Sequence, residues 1–196
     1  MLIFREAHIF YILIIDMKRP IYFLILVFAL TLFNGCLVSE RINYTIDLRT
    51  PTTGKVTVNF LNIKSNAIGK REFEQDKKHL FEFTLKSKSF VTQLKSEGKF
   101  IKYRFLSVKN NQLNGKVIYD FNDVKKVEGI RFEDGFYYLT MALDDSLIST
   151  NGKLIISKDY KRILWDKNYK QLKFEMYSSG FDDNVYKELA SYYKNK

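Results

Sequence analysis

The chain has 196 residues, and 32 lysine and arginine residues against 22 aspartate and glutamate residues give it a formal net charge of +10. This length suffices for one domain with a real hydrophobic core. The single cysteine excludes an intrachain disulfide, and only two histidines are available for zinc binding or histidine-based catalysis. The positive charge suits anionic partners such as nucleic acid, membrane headgroups or acidic glycans.

The N-terminal residues have the order of charged and apolar side chains that an export signal requires. Lys18 and Arg19 supply positive charge, residues 21–33 form an apolar run, and Gly35 stands directly before Cys36. A signal peptide needs an apolar core of about 7–15 residues, whereas a membrane-spanning helix takes about 20. The pattern therefore predicts an export signal that ends at Cys36.

This stretch resembles the signal peptide of bacterial lipoproteins, in which a Gly-Cys or Ala-Cys pair ends the signal and the cysteine receives diacylglycerol before cleavage. The resemblance implies that Cys36 is the lipid-attachment residue and carries two or more acyl chains, which suffice for stable anchoring. Two other interpretations stay open: an uncleaved N-terminal anchor, and an ordinary signal peptide whose cysteine is incidental. All three export the domain, which removes most of the case for nucleic acid.

The sequence divides into three parts. Residues 1–35 are predicted to be a leader and signal peptide, with translation starting at Met17 rather than Met1 because Met-Lys-Arg is typical of a signal start. Residues 36–43 are predicted to be a short tether, and residues 44–196 a single β-rich domain. The expected fold class is mainly β (α+β), an antiparallel sheet, sandwich or barrel-like domain with a C-terminal helix.

The first part of the domain combines a hairpin with an ambiguous segment. Alternating apolar residues predict paired strands over residues 44–48 and 56–63, separated by a turn that contains Pro and Gly. Residues 71–79 have early acidic side chains, which favour a helix or an irregular segment. The alternation of apolar and polar residues that follows predicts a strand over residues 80–86.

The middle of the domain has the clearest strand pattern. Ile101, Tyr103 and Phe105 are expected on one face of a strand, with Lys102 and Arg104 pointing away. The Asn-Asn pair that follows is expected to form the turn, because Asn tolerates positive φ. The returning strand is expected to place four apolar side chains on one side, namely Leu113, Val117, Tyr119 and Phe121.

The last third is expected to hold three more hairpins and a helix. The hairpins are predicted around short polar turns, with residues 130–133 paired to 136–143, 147–150 to 154–157, and 161–165 to 172–177. In the last of these strands Leu172, Phe174 and Met176 alternate cleanly and are expected to face the core. The chain is expected to end in a helix from about Asp182.

Few side chains fit a catalytic or metal site. His79 is the only histidine of the predicted domain and lies beside two lysines, which is typical of a surface residue. Asp144 with Asp145 and Asp182 with Asp183 are expected to serve in turns and helix caps rather than in acid–base catalysis. The sequence therefore predicts no catalytic, cofactor-binding or metal-ligating residue, and no enzymatic activity is expected.

Aromatic residues crowd the C-terminal third among lysines, and they fit two interpretations. Stacking on sugars or contact with lipid headgroups would use this mixture. Filling of a β core is the simpler explanation, because strands favour aromatic residues. The residues in question are Tyr137, Tyr138, Trp165, Tyr169, Tyr177, Tyr192 and Tyr193.

Taken with the signal, this pattern predicts an exported, lipid-anchored protein of the bacterial cell envelope with a binding or structural role. The outer membrane or the cell surface is favoured over the inner membrane. Expected partners are membrane lipid through the anchor, together with anionic headgroups, glycans or another envelope protein, and no nucleic acid. The alternatives are a carrier that encloses a small apolar or lipid ligand in its β domain and, third, an envelope hydrolase. A large interior cavity would favour the carrier.

Overall fold

The computed structural model of the protein describes residues 37–178 and 180–193. A helical segment runs from α1 (Lys70–Lys78) through a π-helical stretch (His79–Thr84) to α2 (Lys88–Ser96), and short 3-10 turns span Val124–Lys126 and Ala190–Tyr192. The strands are β1 (Leu37–Leu48), β2 (Gly54–Ser65), β3 (Lys99–Lys109), β4 (Gln112–Phe121), β5 (Arg131–Glu133), β6 (Phe136–Met141), β7 (Ser146–Thr150), β8 (Lys153–Ile156), β9 (Lys161–Asp166), β10 (Gln171–Tyr177) and β11 (Lys187–Glu188).

The strands form two antiparallel sheets. The larger sheet has the order β3-β4-β2-β1-β10-β7, with β11 pairing at the end of β2, and the smaller sheet has the order β5-β6-β9-β8. Side chains from both sheets pack in one hydrophobic cluster, so the sheets face each other as in a sandwich. The mainly β, antiparallel class is confirmed, and the described strands do not close into a barrel.

Three predicted hairpins are confirmed, namely β1–β2, β3–β4 and β5–β6. The turn residues Asn110 and Asn111 have φ values of 51° and 61°, and Asp134 and Gly135 have 53° and 81°. These are the positive values that tight hairpin turns require, which explains why local sequence predicted them. The expected inner face of β4 is also confirmed, because its alternating apolar residues belong to the two hydrophobic clusters.

Two other predicted hairpins are wrong, because their strands lie in different sheets. β7 pairs with β10 in the larger sheet, whereas β8 pairs with β9 in the smaller one. Asn151 lies at the first crossing, where its Oδ1 accepts hydrogen bonds from Trp165 Nε1 and Lys173 N, one in each sheet, both at 2.8 Å. Gly152 follows at a place where a Cβ would come within 2.6 Å of Trp165 Nε1. The polar turn residues mark a change of direction but do not specify the partner strand.

A β-bulge in β3 overturns the predicted faces of that strand. The register with β4 shifts between Ile101 and Tyr103. Arg104 therefore lies opposite Val117 and on the same face as Ile101, whereas Tyr103 and Phe105 turn to the other face. One extra residue in the strand reverses the alternation that follows it.

The helical segment confirms one expectation and corrects another. The helix or irregular segment expected before residue 80 is the helix α1, but the strand expected over residues 80–86 is wrong, because the chain there continues as a π-helix. Apolar side chains of this stretch have partners in different directions: Phe81 packs near Tyr193, and Phe83 near Phe90. The apparent two-residue period thus comes from a helix that is covered on several sides.

Both ends of the domain also differ from the prediction. Residues 37–43 belong to β1 rather than to a tether, because β2 extends to Ser65 and supplies pairing partners as far back as Leu37. The helix expected from Asp182 is replaced by a turn, β11 and a 3-10 turn. Val185, which would lie on the apolar face of that helix, is 67% exposed.

Candidate ligand-binding site

Two different layers cover the inner face of the larger sheet. The smaller sheet packs over one part, and the filled core between the two sheets contains Ile46, Trp165 and Phe174. The helical segment packs over the other part, where Leu80 joins Leu113 in a second hydrophobic cluster. We call these parts the packed half and the helix-covered half.

A cavity of about 480 Å³ lies between the larger sheet and the helical segment. Strands β1 to β4 form one wall, and the π-helical stretch with α2 forms the other. The volume lies within the range of about 300–1,000 Å³ that is typical of small-molecule sites. Most lining side chains are apolar, including Ile42, Val58 and Phe60 from the sheet and Leu85, Phe90 and Leu94 from the helical segment.

Gly115 of β4 allows close packing in the wall of this cavity. A Cβ at this position would lie 3.1 Å from Ile63 Cδ1 and 3.3 Å from Leu106 Cδ2, so even alanine would press on its neighbours. The missing side chain gives Ile63 and Leu106 room to pack closely over β4, and all three residues line the cavity.

Arg104 brings a positive charge to the cavity wall. Because of the bulge, its side chain reaches the helical segment, where Nη1 donates to Thr84 O at 2.7 Å and Nη2 donates to Ser87 O at 2.8 Å. The guanidinium carbon lies 5.8 Å from the ring centroid of Phe90. Partial burial lowers the pKa of Arg104 from its ordinary value, but a guanidinium remains protonated at neutral pH.

Glu128 is the carboxylate of the cavity wall. Burial raises the pKa of the Tyr44 and Tyr119 hydroxyls, and the nearby negative charge of Glu128 raises both further. Glu128 has a φ of 51°, which few residues other than glycine adopt, and such a backbone beside a cavity is a reason to include it in the candidate site.

The predicted lipid-attachment residue, Cys36, lies outside the described residues, and its role stays a prediction. Leu37 and Val38, which follow it directly, line the cavity. His79 is exposed on the π-helical stretch, with its ring centroid 5.2 Å from that of Phe83, and it does not line the cavity.

The two aspartate pairs serve different purposes. Asp145 accepts a backbone hydrogen bond within a turn, as predicted, whereas Asp182 accepts one within a turn and not at the start of the expected helix. Asp183 instead lies 2.5 Å from Lys64 Nζ, and Glu188 lies 2.6 Å from the same atom. The Lys64 side chain is only 2% exposed, so these carboxylates compensate a buried cation and hold the C-terminal segment against β2.

The aromatic residues of the C-terminal third serve mainly in packing. Trp165 and Tyr137 are buried in the filled core, which confirms the core-filling interpretation for both. Tyr192 is half exposed but packs edge-on against Phe73, with Lys77 Nζ 4.1 Å from its ring centroid.

The described residues offer no metal site or membrane-spanning helix as an alternative to the cavity. Within residues 37–178 and 180–193, no group of three or more His, Cys, Asp or Glu side chains is placed to hold a metal ion. No helix in that part of the chain is both long and apolar enough to cross a bilayer.

No family model matches the chain, and no curated protein or solved structure is significantly similar to it. The sequence did not indicate Arg104 or Glu128 as site residues, because both depend on contacts between distant segments.

Proposed function

We propose that this protein is an exported lipoprotein of the bacterial cell envelope, held at the outer membrane or cell surface through Cys36, and that its β domain binds a small apolar ligand such as an acyl chain. The observation that carries the binding role is the cavity of about 480 Å³ between the larger sheet and the helical segment. Its role is binding, and no catalytic step is proposed.

The energetics of packing support a ligand-binding role over a purely structural one. The cavity is partly open to solvent, so its apolar walls remain in contact with water when no ligand is bound. A purely structural protein gains no stability from apolar surface left in contact with water, whereas in a binding protein a ligand with a hydrocarbon portion would cover it. The apolar walls favour a ligand with a hydrocarbon portion.

The lining residues closest in sequence to Cys36 support a link between ligand binding and the lipid anchor. Leu37 and Val38 belong to the cavity lining and directly follow the predicted attachment residue Cys36. A diacylglycerol on Cys36 would therefore keep the cavity near a membrane surface, where acyl-chain ligands are concentrated. The part of the chain from Cys36 onward carries +9 of the net charge of +10, because residues 1–35 contain three basic and two acidic side chains, and this charge would add attraction to anionic headgroups.

The test uses the full chain in cells that are fed a fatty acid with a photoreactive diazirine. After irradiation the purified protein is digested, and all modified peptides are mapped by mass spectrometry. We expect acyl mass on an N-terminal peptide that begins at Cys36, independent of light, and light-dependent adducts on peptides that contain Leu85 or Leu94. Light-dependent adducts restricted to exposed apolar residues such as Ile155 would contradict the binding role.

The variant Cys36→Ser separates the anchor from the ligand. We expect it to lose both the acyl mass and lipoprotein-type cleavage, while the light-dependent cavity adducts persist. A wild-type protein that starts elsewhere, or that carries an unmodified Cys36, would contradict the anchor. Loss of the cavity adducts in Cys36→Ser would mean that the acyl group of Cys36 occupies the cavity itself, which would contradict a separate ligand.

A further inference from the structure

We propose that the ligand of this cavity is an anionic amphiphile, an acyl chain whose carboxylate or phosphate headgroup is bound by Arg104. This inference rests on the proposed ligand-binding function and adds the chemical class of the ligand. It is carried by the guanidinium on the cavity wall, whose hydrogen-bond acceptors among residues 37–178 and 180–193 are all backbone carbonyl groups.

The guanidinium has more donors than the protein uses. An arginine side chain has five N–H donors, and the described residues accept from two of its nitrogens, at Thr84 O and Ser87 O. Both acceptors are neutral, and no carboxylate among the described residues forms an ion pair with Arg104. A cation in partly apolar surroundings normally has an anionic partner. The two carbonyl groups hold the guanidinium in place and leave its other donors available for a bidentate contact with a headgroup.

The other charges of the cavity wall also favour an anion. Lys99 lies on the same strand and face as Ile101, and its Nζ is 4.0 Å from Glu97 Oε2, which is at the limit of an ion pair. The Glu128 carboxylate lies near the Tyr44 and Tyr119 hydroxyls and raises the pKa of both, so its charge already acts on groups of the protein. A neutral ligand would leave the positive charge of this wall without compensation.

The surroundings of Arg104 suit an amphiphile rather than a small free anion. Along β3, Ile101 precedes Arg104 on the same face and Leu106 follows it, and all three line the cavity. Phe90 packs beside the guanidinium. A headgroup at Arg104 would therefore have its hydrocarbon chain in contact with apolar wall, whereas an inorganic anion would gain only the polar contacts.

The test uses membrane vesicles that contain the full chain, with two photoreactive probes of equal chain length. One probe is a fatty acid and the other is the corresponding primary alcohol; inorganic phosphate serves as a competitor without a chain. Light-dependent labelling of residues 80–94 is measured against the probe concentration in the vesicles. For the wild type we expect the acid to reach half-saturation at a concentration about tenfold or more below that of the alcohol. We expect millimolar phosphate to displace neither probe.

Three variants assign the preference to Arg104. Arg104→Gln should label equally with both probes, at the concentration that the alcohol requires in the wild type. Arg104→Lys keeps the charge without the planar fork and should retain part of the preference. Lys109→Gln removes an exposed cation from the same strand and should behave like the wild type.

Each outcome distinguishes this inference from the proposed function. Equal labelling of the wild type by acid and alcohol would overturn the headgroup assignment and leave the binding role intact. No cavity labelling by either probe would overturn the binding role itself. If Arg104→Gln reduced labelling by both probes equally, Arg104 would only hold the helical segment in place. If phosphate displaced the probes, the cavity would contain a site for small anions. Either result would overturn the headgroup assignment. Protease digestion shows whether Arg104→Gln is folded. If this variant does not fold, the comparison of acid and alcohol probes on the wild type still tests whether the cavity prefers an anionic headgroup.

Discussion

The packed half and the helix-covered half of the domain use the same sheet in opposite ways. In the packed half, Phe174 of β10 is buried against Tyr44, with ring centroids 4.6 Å apart, and lies 6.3 Å from the ring of Trp165 in the opposite sheet. In the helix-covered half, Phe60 and Ile101 are only partly buried and border a cavity of about 480 Å³. Two sheets can interdigitate their side chains over their whole contact. The helical segment leaves a gap.

Three irregular stretches of backbone lie around this gap. The π-helical stretch, the bulge at residue 102 and the positive φ of Glu128 all border the cavity. π-helical turns and bulges occur frequently at functional sites, where they redirect particular side chains. Here the bulge places Arg104 under the helical segment. The comparison therefore teaches that the packed half supplies stability and that the helix-covered half has the deviations expected of a binding site.

The largest effect is expected for truncation of the packed half. Phe174→Ala removes a ring that touches both sheets, and we expect the free energy of unfolding to fall by about 3–5 kcal/mol. Lys173→Ala, on the exposed face of the same strand, should change it by less than about 0.5 kcal/mol. Urea denaturation of both variants measures the difference, and small, equal effects would mean that the assigned faces of β10 are wrong.

Overpacking by the same substitution in each half directly compares the two environments. Val56 is fully buried in the filled core, and we expect Val56→Phe to cost about 1–3 kcal/mol of stability. Val117 borders the cavity, so Val117→Phe should cost much less and should reduce labelling by the photoreactive fatty acid. Ile118→Phe, on the opposite face of β4, should leave the labelling unchanged. An equal stability cost at Val56 and Val117 would show that the helix-covered half has no free volume.

The sequence predicted those parts of the fold that short-range chemistry decides. The Asn110–Asn111 and Asp134–Gly135 turns need residues that tolerate positive φ, so the local sequence was sufficient. The alternation of Leu172, Phe174 and Met176 likewise reported a real inner face, because this strand has no bulge along its pairing with β1.

Contacts between distant segments account for what the sequence did not predict. Asn151 bonds to strands of both sheets, and no pattern within its own segment indicates that. The bulge that redirects Arg104 adds one residue to β3, and no residue type in that stretch indicated it. The charge of the buried Lys64 is compensated by Asp183, which lies 119 positions later in the chain. The segment around Asp183 forms a turn and β11 where the sequence predicted a helix. The candidate site falls in this second group, since the cavity exists only where the helical segment meets the sheet.

A leucine-to-alanine pair gives a finer test of the same contrast. Leu172 is fully buried in the packed half, and Leu172→Ala should cost about 2–5 kcal/mol. Leu94 is partly buried beside the cavity, and Leu94→Ala should cost at most about 1.5 kcal/mol because only part of its surface is removed from water. Urea denaturation again provides the measurement. A cost at Leu94 equal to that at Leu172 would indicate a closed core in both halves.

The smallest and most local effect concerns the C-terminal segment, residues 180–193, which packs against the second hydrophobic cluster. We expect acid to destabilise this segment. Leu189 and Ala190 belong to the cluster of the helix-covered half, and the Asp183–Lys64 ion pair holds the preceding turn in place. The hydrogen bond from Lys64 lowers the pKa of Asp183 below its ordinary value of 3.8. A lowered folded-state pKa contributes stability that is present above the ordinary pKa and is lost as the pH falls through the lower value.

We therefore expect hydrogen exchange over residues 180–193 to accelerate below about pH 4, after correction for the intrinsic exchange rate, while strands of the packed half keep their protection. Asp183→Asn removes the titrating charge, so this segment should already exchange faster at neutral pH and should change less on acidification. Asp182→Asn is the matched control, because asparagine can still accept the hydrogen bond from Asn184 N, and it should follow the wild-type profile. If wild type and Asp183→Asn showed the same acid profile, the Asp183–Lys64 pair would not be what holds this segment. If the packed half lost protection at the same pH, the two halves would unfold as one unit, and the contrast between them would concern packing alone and not local stability.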